Sequence, residues 1–236
     1  MSEWSLKRFW KSAGVADCDP GYRIELDGRP VHTPAKAPLI VPTRPLAEAI
    51  AEEWDAQQER VDPNVMPLTR AANAAIDKVR HQHSEVADMI AAYGDADLLC
   101  YRADSPEGLV ARQCAAWDPL LEWAADHLGA RLRPVNGVMH VPQDPVALGA
   151  MSGRVHDLDS FALTAMHDLV SMSGSLVIGF AVIHGQSPPE ELWNASRIDE
   201  TWQEELWGTD AEAAATTARK RAAFLQAHRV YALSRS

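Results

Sequence analysis

The first hydrophobic pattern along the chain has a period of two. Tyr22, Ile24 and Leu26 alternate with Arg23 and Glu25, as in a strand with one buried face. Asp27-Gly28 follows, and glycine tolerates the positive φ that a two-residue hairpin turn needs. Residues 29–33 read as the return strand, which Pro34 ends. Leu39-Ile40-Val41 is a further short strand, punctuated by Pro38 and Pro42. After Thr43, a good N-cap with Pro45 in the first turn, the period lengthens. Leu46, Ile50 and Trp54 lie four apart on one helical face, with Glu48, Glu52, Asp55 and Glu59 turned to water.

The loop at 61–67, with Pro63 and Pro67, sets an expected domain boundary: residues 1–66 as a β-rich domain with one long helix, residues 67–236 as a helical domain. Helices are expected over 69–79 and 84–93, resuming at 96–101 after Gly94. Two more are expected over about 104–117 and 119–128, the second stopped by Gly129. Residues 132–141, centred on Asn136-Gly137, read as a small hairpin. Residues 157–172 and 176–183 are apolar nearly all round, which predicts the middle of a bundle. Ser187-Pro188-Pro189-Glu190 has the pattern of a capping box. The helix it opens carries Ala195, Ile198, Trp202 and Leu206 inward and Asp199, Glu200, Gln203 and Glu204 outward, and ends at Trp207-Gly208. A last helix runs from Ala211 to about Ala227. The fold class is therefore α+β: a small N-terminal antiparallel β-rich domain, then a mainly α-helical bundle domain.

Composition changes this picture little: 47% of residues are hydrophobic and 23% charged, ordinary for a chain with a core. The net charge of −11 argues against nucleic acid or an anionic membrane as the main partner and suits a basic one. Cys18, Cys100 and Cys114 form no C-x-x-C pair and read as reduced, mostly packed thiols. Residues 1–16 lack a signal-type apolar run, with Glu3 early, and residues 176–183 are too few to span a bilayer.

Candidate chemistry is sparse. No phosphate loop, dinucleotide fingerprint or nucleophile elbow is present. Ser175 after Gly174 reads as a helix cap, His81 and His83 as solvated rather than metal-binding, and His167 beside Asp168 as a core histidine bonded to its neighbour. Asp95 and Asp97 could do acid–base work or hold a divalent cation; after a helix-ending glycine they read as caps. A metal-dependent hydrolase built on this pair, or a general holdase, is the alternative to a binding protein. Glu200 and Glu204 share a helical face, either as solvated charge or as a docking surface for a basic partner.

Four stretches then come together: Leu26-Asp27-Gly28-Arg29-Pro30-Val31 with Thr33-Pro34-Ala35-Lys36; Ala51-Glu52-Glu53-Trp54 with Met66-Pro67-Leu68-Thr69-Arg70 and Ala72-Asn73; Tyr93, Asp95, Asp97, Leu98-Leu99-Cys100-Tyr101 and Arg102; and Ser196-Arg197-Ile198-Asp199-Glu200 with Trp202-Gln203 and Trp207-Gly208. In this order they resemble the assembly chaperones for the alpha subunit of the F-type ATP synthase head. The resemblance implies a β-rich N-terminal and a helical C-terminal domain, no enzymatic activity and no cofactor. It implies a monomer that shields the alpha subunit's beta-contacting surface until assembly. It also implies the bacterial cytoplasm, or the mitochondrial matrix if a transit peptide has been removed. The implied contact is the acidic helix, Glu200 first, with Asp199, Glu204 and Trp207. Trp54 and Trp202 are expected in the core, with Trp10, Trp193 and Trp207 open to either role.

Overall fold

The computed structural model describes residues 7–236; the earlier residues, Glu3 among them, lie outside the description. The chain divides into two compact units. One comprises residues 7–83, 160–165 and 229–236, the other residues 84–159 and 166–228.

The first unit is built on the expected hairpin. Strand β2 (Gly21–Leu26) turns through Asp27 (φ 48°) and Gly28 (φ 75°) into β3 (Arg29–Pro30), with Leu26 opposite Arg29. Two positive φ angles are the mark of the hairpin turn whose twist matches its strands. The return strand is shorter than expected, because its register with β2 ends at Pro30, opposite Glu25. Strand β4 (Ile40–Val41) pairs with the start of β2, Val41 opposite Tyr22. A Cβ on Gly21 would lie 2.5 Å from the Val41 carbonyl oxygen, so that pairing needs glycine.

The pattern did not announce β1 (Ala13–Cys18), which pairs antiparallel along the whole of β2. Its residues are small or polar, and a strand of that composition carries no apolar alternation to detect.

Helix α1 (Arg44–Asp55) starts as expected, with Thr43 Oγ1 accepting from the Leu46 amide at 3.3 Å. Leu46 and Ile50 enter a core with Ile24, Leu26, Leu39 and Val41. Trp10 is buried there too, edge-on to a half-buried Trp54 with ring centroids 5.3 Å apart.

Helix α2 (Pro67–Ala74) runs on into a π-helical turn, Ala75–Val79. Its N-terminus is capped from a distance: the Glu53 carboxylate accepts from the amides of Leu68 (2.7 Å) and Thr69 (2.8 Å) and from the Thr69 hydroxyl (2.8 Å). Charge-assisted bonds at a helix N-terminus are among the stronger local contacts. Glu53→Ala is expected to cost about 2 kcal/mol, read as a lower urea midpoint with an unchanged slope. Glu53→Gln keeps one acceptor and should lose about half as much.

The second unit is helical, as expected, with several changes of boundary. Helix α3 (His83–Ala91) tightens into a 3₁₀ turn, Ala92–Ala96. The helix expected over 96–101 is only a 3₁₀ turn, Leu98–Cys100, leading into β5 (Tyr101–Arg102). The hairpin expected at 132–141 does not form. Its first arm is β6 (Val135–Asn136), which runs parallel to β5. Beyond Gly137 the chain leaves the pairing, and Val138 is 90% exposed.

Helix α4 (Glu107–Trp123) runs unbroken through Pro119 and continues as a π turn to Leu128, where two helices were expected. Pro119 takes away one amide, but the carbonyl it frees, on Ala115, is on an exposed residue that water can reach. Gly129 (φ 69°) stops the helix as expected. Helix α5 (Pro145–His156), capped by Asp144, was not anticipated: its mixed sequence has little apolar periodicity.

Helix α6 (Ser160–Ser173) contributes residues to each unit, and α7 (Leu176–Ile183) buries every residue from Leu176 to Val182. A Cβ on Gly179 would meet Val170 Cγ2 at 2.7 Å, so α6 and α7 touch closely. Ser175 Oγ caps α7 by accepting from the Ile178 amide at 3.0 Å. His167 does bond Asp168 (2.9 Å), but both side chains are about half exposed, so it is a surface pair and not a core histidine.

The capping box expected at Ser187 fails by one residue. The N-cap of α8 (Pro189–Ala195) is Pro188, which has no side-chain acceptor, and Glu190 pairs instead with Arg221 (Nε to Oε2 3.0 Å). The last helix, α10 (Ala211–Arg235), is capped by Asp210, which accepts from the Ala213 amide at 2.8 Å, and extends beyond Ala227. Among the described residues no helix is long and apolar enough to cross a membrane.

Candidate functional site

The expected acidic helix is a separate element, α9 (Ile198–Trp207), broken from α8 at Ser196-Arg197 and ended at Gly208 (φ 86°). Three contacts fasten it to α4. Gln113 Nε2 donates to Asp199 Oδ1 at 2.6 Å. Arg112 makes a two-pronged pair with Glu205, both arms 2.8 Å, while its guanidinium lies 4.8 Å from the centre of the Trp202 ring. The Trp202 ring edge fills the space above Gly108, where a Cβ would be 2.8 Å away. The Arg112 hydrogen bonds hold the Glu205 carboxyl below its ordinary range and raise Arg112 in turn. The segment before α9 is pinned as well, by the Trp117 indole donating to the Ala195 carbonyl at 2.7 Å.

This arrangement revises the expected roles. Asp199 does not point outward: it is half-buried and spent on Gln113. Trp202 is half-buried between Gly108 and Arg112 rather than in a core. Trp193 is buried against Phe224, 5.5 Å between centroids. Glu200 is exposed and paired with Arg197 at 2.9 Å, and Arg197 lies over the Trp193 ring. Glu204 is half-buried. Trp207 stands 78% exposed.

Leu206, expected inward, is 57% exposed. Its spacing from Trp202 places both on one face, but Trp202 meets α4 at Gly108 and Arg112 while Leu206 stays in solvent. Periodicity alone does not reveal this, since it depends on which part of the face the neighbouring helix covers. The outcome is a rigidly mounted helix with an acidic flank and an apolar tip.

The Asp95/Asp97 pair is built for structure. Both oxygens of Asp97, fully buried, are taken by backbone amides: Leu99 at 3.0 Å and Val177 at 3.0 Å. Burial pushes its carboxyl up to about 6 against those bonds. Asp95 accepts from the Gln143 amide (2.8 Å) and pairs with His140 (3.3 Å), which also meets the Tyr101 hydroxyl (3.1 Å). Among the described residues there is no group of three or more side chains placed to hold a metal ion. Of the thiols, Cys100 is buried and raised to about 12 by that burial, Cys18 is intermediate, and Cys114 is exposed, contrary to the packed role expected.

The motif residues thus serve the fold as much as the surface. Glu53 caps Leu68 and Thr69, Asp97 ties two helical starts, Asp27 turns the hairpin, and Asp199 docks α9. Comparison with known proteins fits this distribution. The family model of the ATP12 chaperone protein matches residues 7–125, half the chain. The mitochondrial protein atp12 of Schizosaccharomyces pombe is 26% identical over 217 residues, covering 87% of this chain and 75% of that protein. The crystal structure of Atp12 from Paracoccus denitrificans superposes with a TM-score of 0.95 at 51% identity, covering 98% of this chain and 100% of that one. A mutant of the same Paracoccus protein gives 0.96 at 51% identity over 99% and 100%. With those sequence and structural matches spanning both units, the chain belongs to the ATP12 chaperone family.

Proposed function

We propose that this chaperone binds the unassembled alpha subunit of an F-type ATP synthase head, shields its beta-contacting surface, and yields it to the beta subunit during assembly. It does this as a monomer, by binding without catalysis and without a cofactor. The setting is the compartment where the head is assembled, the bacterial cytoplasm or the mitochondrial matrix. The observation that carries the reading is α9, with exposed Leu206 and Trp207 beside Glu200 and Glu204 on a helix fastened at Asp199, Trp202 and Glu205. A rigid apolar tip loses little conformational entropy on docking, and the carboxylates orient a basic partner. The Arg197–Glu200 pair is no obstacle: Arg197 is the half-buried partner and Glu200 the exposed one, so the outer side of the Glu200 carboxylate stays open to a client cation.

The test is light scattering of isolated alpha subunit as it aggregates, without nucleotide. An equimolar amount of the chaperone should suppress the signal, and scattering unchanged by it would refute the reading. Glu200→Lys and Trp207→Ala should each weaken suppression about tenfold while moving the melting temperature by less than about 2 °C, as expected of exposed positions. A collapse of the melting temperature would make these residues scaffold and not contact.

A further inference from the structure

Among the described residues, strand β1 is the outer strand of its sheet, paired with β2 on one side. Its other edge is presented to a groove of about 400 Å³ along α1, lined by Ala13, Gly14 and Val15 on one wall and by Arg44, Glu48, Glu52 and Asp55 on the other. The backbone direction follows from one contact. The Ala13 amide leaves the ladder and donates to Asp55 Oδ1 at 2.7 Å. Hydrogen-bonding direction alternates along a strand, so Val15 and Asp17 turn their amides and carbonyls the same way. The groove wall is acidic on balance: Arg44 is shared between the Asp17 carboxylate at 2.6 Å and Glu48 at 3.8 Å, and Arg8 lies 3.6 Å from Asp55, so four carboxylates, Asp17, Glu48, Glu52 and Asp55, face two cations.

We infer that the open edge of β1, with the acidic side of α1, is a β-addition site for an extended basic peptide segment of another protein. An added strand lies about 4.8 Å from the edge and takes its affinity from the main chain of Val15 and Asp17. Its selectivity comes from alternate side chains. Those facing α1 meet Glu48 and Glu52, so the segment carries Lys or Arg at every second position. Asp55 on the Ala13 amide and Arg44 on Asp17 mark the two ends of the site. Charged residues beside an edge strand can also serve to keep other strands away, and the experiment separates the two roles. The inference is independent of the α9 surface.

The full chain, labelled with ¹⁵N, is titrated with the peptide acetyl-Lys-Val-Arg-Thr-Lys-Val-amide. Saturable shift changes at Val15 and Asp17, with slowed exchange of their amides, are expected. N-methylation of alternate peptide residues in the bonding register should weaken binding at least tenfold, as should the Glu48→Lys/Glu52→Lys double variant or a peptide with Glu in place of Lys and Arg. Three results would overturn the proposal. One is no perturbation at Val15 and Asp17 at millimolar peptide. Another is equal binding of the N-methylated peptide, which would mean charge attraction alone. The third is a concentration-dependent dimer in sedimentation with the same amides protected, which would make a second copy the occupant. None of these arms involves the alpha subunit, so their failure leaves the chaperone reading untouched.

Discussion

Asp97→Ala is expected to lower the unfolding free energy by about 3 kcal/mol at neutral pH, a fall in melting temperature of roughly 6–12 °C for a chain of this size. The buried carboxylate holds the Leu99 amide with one oxygen and the Val177 amide with the other, joining the turn before β5 to the start of α7. Both amides would be left unpaired in a dry interior, each at a cost of about 1–3 kcal/mol. The wild type carries a signature that identifies the group. Its carboxyl is raised to about 6, above the ordinary value near 3.9. The folded state therefore binds the proton more tightly than the unfolded state. That contribution is complete below about pH 4 and is lost as pH rises through 6. The deficit of Asp97→Ala should thus be larger at pH 5 than at pH 8, by about 1 kcal/mol. Urea titrations at the two pH values measure it. Asp97→Asn keeps one acceptor but turns a donor toward one of the amides, and should lose both part of the stability and the pH dependence. A deficit that grows with pH would contradict the assignment.

Trp117→Ala is expected to be the larger loss in packing, about 4 kcal/mol. The ring is wholly buried, supports the Arg102 guanidinium 5.3 Å from its centre, and its indole N–H holds the Ala195 carbonyl. Arg102 also donates to the Leu99 carbonyl at 2.7 Å and pairs with Asp118 at 2.8 Å, so its anchorage would be loosened and not abolished. Ala195 ends α8 one residue before the break that sets the direction of α9. The variant should therefore lose client binding in addition to stability. Trp117→Phe separates the two: most of the packing stays and only the bond to Ala195 goes, at about 1 kcal/mol. If Trp117→Phe keeps its melting temperature within a few degrees but weakens suppression of alpha-subunit aggregation, that hydrogen bond positions α9. Equal suppression by Trp117→Phe and the wild type would show that the remaining α4 contacts suffice.

What the sequence determined by itself was whatever depends on near neighbours in the chain. The Asp27-Gly28 turn, the Thr43 and Ser175 caps, the Gly129 stop and the wholly apolar α7 each follow from the steric freedom, hydrogen-bonding groups or burial demand of a few adjacent residues. Resemblance in four separated motifs added the family, although several of those residues proved to be internal fasteners. Only the tertiary structure decided matters in which a partner distant along the chain sets the outcome. β1 is a strand because β2 gives its small residues a ladder. Val135-Asn136 pairs parallel with the distant Tyr101-Arg102 and not with its own expected return arm. Pro119 stays inside a helix because the carbonyl it frees, on Ala115, sits at the surface. The acidic helix, whose outward charges the sequence leaves as solvated face or docking surface, is divided by α4. Asp199 and Glu205 are spent on Gln113 and Arg112, while Leu206 and Trp207 stand in solvent. Periodicity tells which side chains share a face, but the length and position of the packing partner decide which of them are covered.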